Sequence, residues 1–558
     1  MASRQLRYDD LKGGARLAWL LDVTWAGRVF RFSSEPLEVS SADGALLYDG
    51  GLINEVEVEL GYAVLDQEPE FPSVSVELDF GALDVARKVL QGHPLRGAAA
   101  ELSLYVIGTV YEDRWRVVRG RLNAPEIGQV GEPVSASLEE VRQQDPTPSI
   151  SPDATVTPTS WPDARDDAVG QAYPLPFGTP GTNDDTLTAG SPALPVNVFA
   201  AITYAEVVDT LLICDGVCDA SSVTILVPAN TYTNSGGAET ALTRAVTFNT
   251  ISQVQDGNGR TVSVVDISAP GMAGGAPEYL VFLTSASFWA IWDSGGSLPS
   301  AADGSPIVTG GSLLEHAALL SSAEYDEPQI RTVAQRLNGI PVAGYLNDPG
   351  VTWTDFLSDN LLPLIPYSLV WTPDGLQLLS WGLDAKAVDA VAAIEAGVAS
   401  GVVRASGMVE VEHPAYRSAS LKYARKADSG GFGRRTTYEP YAIAPSHGSA
   451  HADHVASSRD DAEDWSSDTD ILHTQQGAHY VLRNTLKLGA STVLETDYVA
   501  TTEWLWLPLG SIVTLTDEEL GYDTLPSVLS RLVLRLDGPG LTFTTILDPV
   551  ASLPLLPS

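Results

Sequence analysis

Side chains of the types that ligate metals occur in two short segments of this 558-residue sequence. Cys214 and Cys218 are four residues apart, and His451 and His454 are three apart with Asp453 between them. A structural zinc site needs about four such ligands in a fixed frame, and neither segment has a second pair beside it. Glycine and serine around the histidines favour a loop, so we interpret the cysteines as a buried pair of thiols and keep a metal site as the weaker alternative.

Acidic side chains are numerous enough that paired carboxylates for glycoside cleavage could be drawn from them. They alternate with apolar residues on predicted strands, as Glu55, Glu57 and Glu59 do, or they crowd in loops, and both patterns are typical of solvated faces. The sequence lacks the motifs Gly-x-Ser-x-Gly, His-Glu-x-x-His and Gly-x-x-x-x-Gly-Lys. We therefore predict no catalytic residues and no cofactor, with a glycan-active enzyme as the less favoured alternative.

The densest group of basic side chains consists of Arg114, Arg116, Arg119 and Arg121. Such a group can contact phosphates, so nucleic-acid binding is one interpretation. Acidic residues at positions 112, 113 and 126 lie close by in the sequence. A surface of paired charges, or a contact between subunits, is the interpretation we prefer.

The chain has 32 basic and 71 acidic side chains, and its net charge is −39. This balance argues against a protein that grips nucleic acid, and it suits solubility or the repulsion of a passing polyanion. Two cysteines cannot build a disulfide framework. We expect no signal peptide and no membrane span, since charged residues interrupt the N-terminus and no apolar run reaches about 20 residues.

Alternation of polar and apolar residues predicts a β domain with one helix in the N-terminal region. The predicted strands cover 17–25, 29–33, 51–60, 71–80, 101–110, 114–122 and 134–141, and the helix covers 82–91. In the third of these strands, Ile53 faces the same way as the three alternating glutamates. Asn54, Val56, Val58 and Leu60 face the other way.

Proline-rich chain then leads into a second β-rich unit. Residues 146–195 favour an extended, surface-running linker, and Trp161, Tyr173 and Phe177 are expected to bury against neighbouring parts of the protein. Strands are predicted in 196–307 at 198–203, 210–213, 223–227, 245–248, 261–267 and 279–284. This insertion could bind a receptor, a fibre or a glycan, or it could be wall material.

Helical periodicity replaces the strand pattern near position 311. Ser312 with Glu315 is expected to cap a helix that ends at residue 320, Pro328 begins a second helix, and Thr352 caps a third. A hairpin is predicted over 367–372 and 375–381. The stretch 425–473 is expected to be rich in loops, with Arg434 and Arg435 ahead of an acidic run at 460–470, and these opposite charges could pair between adjacent copies.

The C-terminal region is predicted to be a helix over 475–488 followed by an antiparallel meander with strands at 512–516, 527–536 and 541–547. In the middle strand, alternation places Val528, Leu532 and Leu534 on one face. Leu529 and Arg531 fall on the other.

Four segments of the sequence resemble the tail-tip hub proteins of bacteriophages and gene transfer agents. They are Trp504-Leu505-Trp506 with Pro508 to Thr514, the stretch from Trp353 to Pro366, the stretch from Trp161 to Gly178, and Trp115 to Leu122 with Gly131 to Leu138. The resemblance covers roughly 1–195 and 310–550, leaving the insertion outside it.

This resemblance implies a mainly β fold with some α, in which two tail-tube-like β-sheet-plus-helix domains accompany an inserted β domain and a small helical region. The expected boundaries are 1–145 for the first tube-like domain, 146–195 for the linker, 196–307 for the insertion, 308–400 for the helical region with its hairpin, and 401–558 for the second tube-like domain. The two ends of the chain are expected to lie side by side around an axis.

The resemblance also implies a structural hub of a tail tip or baseplate, assembled in the host cytoplasm and located in the virion. As expected partners it implies further copies in a homotrimer, distal tail or tail-tube ring proteins, tip or fibre proteins and the tape-measure protein. DNA would pass transiently through a channel with a negative wall, without stable membrane insertion. The alternative from another class is a receptor- or glycan-binding adhesin of a virion, with 196–307 as its binding unit.

Overall fold

A computed structural model describes most of the chain. The described residues are 8–11, 14–62, 73–81, 83–140, 155–162, 164, 169–170, 172–173, 175–178, 199–204, 207–217, 223–226, 232–235, 238–241, 245–248, 251–266, 289–292, 302–320, 327–346, 351–372, 375–383, 385–425, 432–438, 461–469, 471–472 and 475–547. The fold is mainly β with some α, as the sequence predicts. In the described part, no helix is long and apolar enough to cross a membrane.

The N-terminal region forms a six-stranded antiparallel sheet with the strand order β2-β1-β7-β8-β9-β6. Its elements are α1 (Tyr8–Leu11), β1 (Leu17–Trp25), β2 (Arg28–Ser33), β3 (Leu37–Ser41), β4 (Gly44–Tyr48), β5 (Val58–Gly61), β6 (Ser73–Leu78), α2 (Val85–Leu90), β7 (Ala99–Val106), β8 (Trp115–Glu126) and β9 (Val134–Glu140). Ala26 and Gly27 both have positive φ, which is the two-residue turn whose twist suits the hairpin of β1 and β2. The β3–β4 hairpin, absent from the sequence prediction, packs Val39 and Tyr48 against the sheet.

The inserted region carries three small sheets, with strand orders β11-β12-β18-β17, β16-β13-β19 and β14-β15. β10 (Leu175–Phe177) lies in the linker. The strands of the insertion are β11 (Phe199–Tyr204), β12 (Val207–Asp215), β13 (Val223–Leu226), β14 (Tyr232–Ser235), β15 (Ala238–Ala241), β16 (Ala245–Phe248), β17 (Ser252–Gln255), β18 (Thr261–Asp266) and β19 (Trp289–Trp292). The strand predicted at 279–284 lies outside the described residues.

The three aromatic residues of the linker are buried, which confirms the prediction made for them. Trp161 and Tyr173 pack with Leu212 and two further residues of the first insertion sheet, whereas Phe177 packs in the core of the helical region. The Trp161 Nε1–H donates to the Tyr173 hydroxyl at 2.9 Å, and that hydroxyl donates to the Asp256 carboxylate at 2.7 Å. The linker therefore contacts both of its neighbours.

A second core brings together the helices, a hairpin and a small sheet. Its elements are α3 (Gly310–Leu320), α4 (Glu327–Leu337), β20 (Gly344–Leu346), α5 (Trp353–Asn360), β21 (Tyr367–Thr372) and β22 (Gly375–Ser380), joined by strands from the next region. The predicted capping of α5 by Thr352 is confirmed, because the Thr352 hydroxyl and the Asp355 side chain form a capping box.

The cap predicted for α3 is wrong, because Thr309 takes the place assigned to Ser312. The Ser312 N–H donates to the Thr309 hydroxyl at 3.1 Å, and the Thr309 N–H donates to the Ser312 hydroxyl at 3.0 Å. The two glycines after Thr309 form the first turn of the helix. A β-carbon on Gly311 would lie 2.1 Å from the Ala334 carbonyl oxygen, so close packing against α4 requires glycine there.

The C-terminal region forms an eight-stranded sheet in which β23-β30-β31-β32-β29-β24 are neighbours, β25 pairs with β29, and β5 pairs with β31. Its elements are β23 (Ala392–Glu395), β24 (Val402–Arg404), β25 (Val409–Glu410), β26 (Tyr416–Arg425), β27 (Phe432–Tyr438), β28 (Glu463–Asp468), α6 (Gln475–Ala490), β29 (Thr492–Ala500), β30 (Ile512–Asp517), β31 (Tyr522–Leu534) and β32 (Gly540–Leu547). The predicted helix and meander strands are confirmed. Part of 425–473, expected to be loop, instead forms β27 and β28.

Helix α6 does not cover the meander that follows it. Its buried residues Ala478, Val481 and Leu482 lie in the second core, while Leu488, near its end, packs with Val528 of β31. The helix therefore packs in the second core and, at its end, against the smaller cluster around Val528.

The face predicted for β31 is wrong on one side of a β-bulge. The bulge lies between Leu529 and Arg531 where β31 pairs with β32. A bulge adds one residue to a strand, so the alternation of faces changes there. As a result Leu529 joins Leu532 and Leu534 in the first core, while Val528 lies in a separate cluster.

Candidate functional site

The two ends of the chain meet where β5, from the N-terminal region, pairs antiparallel with β31, from the C-terminal region. The register places Gly61 opposite Arg531 and Val58 opposite Leu534. The Tyr62 N–H continues the ladder by donating to the Ser530 carbonyl oxygen at 3.1 Å. We call residues 56–62 together with 530–535 the terminal seam.

One edge of β31 is shared by two strands. Its first part pairs with β30, up to the contact of Val528 with Ile512, and its last part pairs with β5. The bulge at Leu529 separates the two parts. The N-terminal strand therefore occupies a length of edge that β30 leaves open, and the sheet of one region is completed by the other.

The inner side of the terminal seam is fully apolar. Val58 is 0% exposed, and it belongs to the same buried cluster as Leu532 and Leu534. The Trp19 Nε1–H donates to the Val56 carbonyl oxygen at 3.1 Å, which fixes the seam to β1. Because this single cluster contains residues of both terminal sheets, the two sheets share one core.

Tyr62 anchors the end of the seam to the β21–β22 hairpin. Its ring packs with Leu379, Trp381 and Val528, and its hydroxyl donates to the Ser380 carbonyl oxygen at 2.8 Å. Burial raises the pKa of this hydroxyl well above its ordinary value, so Tyr62 stays neutral. The seam thus contacts the N-terminal sheet, the C-terminal sheet and the hairpin of the helical region.

The outer side of the seam is charged. Glu57 pairs with Arg535 at 2.6 Å, and Glu59 pairs with Arg531 at 3.3 Å. All four side chains are more than a third exposed, so each pair adds less than about 1 kcal/mol. The glutamate stripe predicted to be a solvated face is exposed, and two of its members also meet cations of the distant strand.

The basic group on β8 is split between a paired and an exposed part. Arg114 pairs with Glu101 at 2.6 Å and stacks over the Tyr111 ring at 3.7 Å from its centroid. Arg119 and Arg121 are exposed. The Tyr111 hydroxyl donates to a nearby aspartate, and burial followed by that hydrogen bond raises the pKa of Tyr111 to about 12.

In the C-terminal sheet, a buried carboxylate links β30, near one end of the strand order, to β24 at the other end. Asp517 of β30 accepts from the Tyr498 hydroxyl at 3.0 Å and lies 3.5 Å from the guanidinium of Arg404 on β24. A bridge between Gly397 and Val402 links β23 to β24 at the same end. The sheet is therefore curled, with its interior filled by side chains of the shared core.

The candidate metal ligands are not assembled into a site in the described residues. Cys214 is buried, while Cys218, His451 and His454 lie outside the residues that the structure describes. Across the described ranges, no three His, Cys, Asp or Glu side chains are grouped to hold a metal ion. What the terminal seam can do is mechanical, because it holds two sheets in a fixed relation.

Sequence reasoning missed the pairing of β5 with β31, because strands so distant in the sequence leave no local signal. A charge pattern could have indicated it. Glu57 and Glu59 are two apart on one strand, and Arg531 and Arg535 occupy the outer side of the other. Opposite charges on facing strands stabilise the pairing, so these glutamates and arginines are a weak signal, although their spacings of two and four residues differ.

No protein-family model matches this sequence, and no curated protein matches it. Solved structures do match. A tail protein from Neisseria meningitidis MC58 is 10% identical with a TM-score of 0.33, over 95% of this chain and 97% of that chain. The 43 kDa tail protein of prophage MuSo2 from Shewanella oneidensis is 9% identical with a TM-score of 0.33, over 95% and 99%.

A chain of the native gene transfer agent virion also matches, at 16% identity with a TM-score of 0.18, over 52% of this chain and 82% of that chain. Phage tail proteins, suggested by resemblance in the sequence, thus recur among the structural neighbours.

Proposed function

We propose that this chain is a structural hub of a phage tail tip or baseplate. In this proposal several copies, three by preference, form a ring that joins the tail tube to tip proteins and leaves a channel for DNA. The protein performs no chemical step. It acts in the virion after assembly in the host cytoplasm.

The observation that supports this proposal is the terminal seam. A ring in which each copy supplies two sheets needs those sheets in one fixed orientation, since any hinge between them would change the width of the channel. The shared core around Val58, together with the ladder from β5 to β31, supplies that rigidity. Three such copies would place six sheets around one axis and so match a sixfold tube to a threefold tip.

The charge of the chain supports passage of DNA. A net charge of −39 repels phosphates over a distance of about 8–10 Å at physiological salt. In the proposed ring the channel wall is negative, so DNA slides without being held. A map of the assembly with a basic channel wall would overturn this part of the proposal.

The partners follow from this position in the tail. We propose contacts with distal tail or tail-tube ring proteins on one side, with tip or fibre proteins on the other, and with the tape-measure protein in the channel. The described strands of the insertion lie within 199–292, and the first insertion sheet packs on Trp161 and Tyr173 of the linker. These residues are distant from the terminal seam in the sequence.

Native mass spectrometry of the purified full chain tests the ring. The expected result is a closed species of three times the chain mass of 59.2 kDa, which survives dilution into the nanomolar range. A chain that remains a monomer at about 10 µM, a concentration at which even a weak interface with a micromolar Kd would be mostly formed, would contradict the proposal.

Removing residues 199–292 separates the hub from the virion adhesin. With Trp161→Ser and Tyr173→Ser added to avoid exposing aromatic rings, the shortened chain should still form the same number of copies. An adhesin would instead bind its target through the full chain as a monomer and lose that binding on deletion.

A further inference from the structure

The small sheet β27-β26-β28 ends in two strands of opposite charge. Among the described strands, β27 and β28 each pair with β26 alone, so each has a second edge that no described strand occupies. Strand edges carry regularly spaced N–H and C=O groups and are ready to pair with another strand. These two edges are the feature on which the inference rests.

The two outer strands of this sheet carry opposite charges. β27 contains Arg434 and Arg435 and no acidic residue, and we call it the basic edge. β28 contains Glu463, Asp464 and Asp468, all exposed, and we call it the acidic edge. The register places Arg435 and Asp468 on either side of Lys422 of β26, so the charge changes from positive to negative across one row of the sheet.

The sheet that carries these edges is fixed to the body of the protein. Ala419, Leu421 and Tyr423 of β26 are at most 2% exposed and lie in the second core. Helix α6 packs against β26. Both edges are therefore held in place, which reduces the ordering cost of a contact made through them.

We propose that the basic edge of one copy pairs with the acidic edge of the next copy, as an antiparallel β ladder between subunits. This inference rests on the proposed ring. β27 runs antiparallel and β28 parallel to β26, so a continued sheet would place β27 of one copy antiparallel to β28 of its neighbour. Two different edges meet, so the contact is head-to-tail, and such a contact gives a ring where the rotation between copies closes and an open filament where it does not.

Charge also selects against the wrong pairing. Two acidic edges brought together would set the exposed Glu463 and Asp468 of one strand against those of the other, and two basic edges would likewise bring like charges together. Like charges opposite each other destabilise a ladder, whereas opposite charges stabilise it. The sheet therefore favours the one arrangement that closes a ring over symmetric pairs.

Charge reversal on the full chain tests the proposal by native mass spectrometry. The first variant, Arg434→Glu/Arg435→Glu, makes both edges acidic. The second, Glu463→Lys/Asp468→Lys, leaves β28 with two lysines and Asp464, so that both edges are net positive. We expect each variant alone to weaken self-association at least tenfold, which corresponds to about 1.4 kcal/mol. Both changes in one chain exchange the edges, keep the net charge at −39 and should restore the wild-type assembly.

Mixing the two single-edge variants adds a second readout. Each acidic-edged chain can then pair only with basic-edged chains, and this alternation cannot close in a ring of three. The mixture should therefore give species with equal numbers of both chains and no wild-type trimer. Formation of a trimer that contains both variants would overturn the head-to-tail arrangement.

Arg28→Glu/Arg96→Glu is the matched control, because it makes the same change in charge on two exposed residues outside the basic group at positions 114–121. We expect this control to assemble like the wild type. The inference is wrong if the control weakens assembly as much as Arg434→Glu/Arg435→Glu does. It is also wrong if the chain that carries both pairs of changes does not regain the wild-type assembly. A wild-type chain that is itself monomeric contradicts the proposed function, whereas a ring insensitive to all these changes contradicts this inference alone.

Discussion

Val58→Ala tests whether the two ends of the chain unfold as one unit. The valine is 0% exposed in the shared core, and its strand pairs with β31. The change removes two methyl groups, each with a transfer free energy of about 0.8 kcal/mol, and leaves a cavity that adds a further cost. We expect a loss of about 2–3 kcal/mol in the free energy of opening of the terminal seam.

Hydrogen exchange measured by mass spectrometry shows which segments lose stability. Each 1.4 kcal/mol is a factor of ten, so amides that exchange through opening of the seam should exchange about 30–140 times faster. The increase should appear in peptides covering β31 as well as in those covering β5. An increase confined to residues 51–62, with β31 unchanged, would refute the shared core.

Val29→Ala is the control for this prediction. It makes the same chemical change on β2 of the N-terminal region, but Val29 is 47% exposed. Exposed substitutions change the free energy of unfolding by less than about 0.5 kcal/mol, so exchange in β31 should stay at the wild-type rate.

Two further predictions concern buried hydrogen bonds. Tyr173→Phe removes the hydroxyl between the Trp161 N–H and the Asp256 carboxylate, and leaving these groups without that partner should cost about 1–3 kcal/mol, measured as faster exchange over 251–266 with β31 unchanged. Tyr111 has a pKa of about 12 when folded and about 10 when unfolded, so its contribution to stability is complete below pH 10 and declines as the pH rises from about 10 to about 12. Urea unfolding of Tyr111→Phe should show a smaller decline of the free energy of unfolding over that pH range. An identical pH profile for both proteins would contradict the environment assigned to the Tyr111 hydroxyl.

Local patterns predicted the strands and helices well because each depends on neighbouring residues. The hairpin of β21 and β22, the box that caps α5 and the burial of Tyr173 follow from short stretches of sequence. The failures have non-local causes. The bulge after Leu529 lies in the pairing with β32, and the start of α3 at Thr309, one turn before Ser312, places Gly311 against the Ala334 carbonyl oxygen of α4.

The terminal seam could be predicted only in part. The alternation of Val56 and Val58 with glutamates is visible in the sequence, and it indicates a strand with one buried face. It does not indicate which sheet buries that face. Partner choice between strands this far apart depends on loop closure and on the edge that β30 leaves open, and neither leaves a periodic pattern.

The most direct test of the account is a disulfide across the terminal seam in the chain Gly61→Cys/Arg531→Cys. A β-carbon at Gly61 would lie 3.8 Å from the β-carbon of Arg531, which is the separation that a disulfide requires. Oxidation of the purified chain should yield an intramolecular crosslink, seen as faster migration on a non-reducing gel and reversed by a reductant. The variants Gly61→Cys and Arg531→Cys, each of which adds one cysteine to Cys214 and Cys218, should show no such shift. Failure of the double variant to crosslink while its far-ultraviolet circular dichroism stays native would contradict the joining of the two ends.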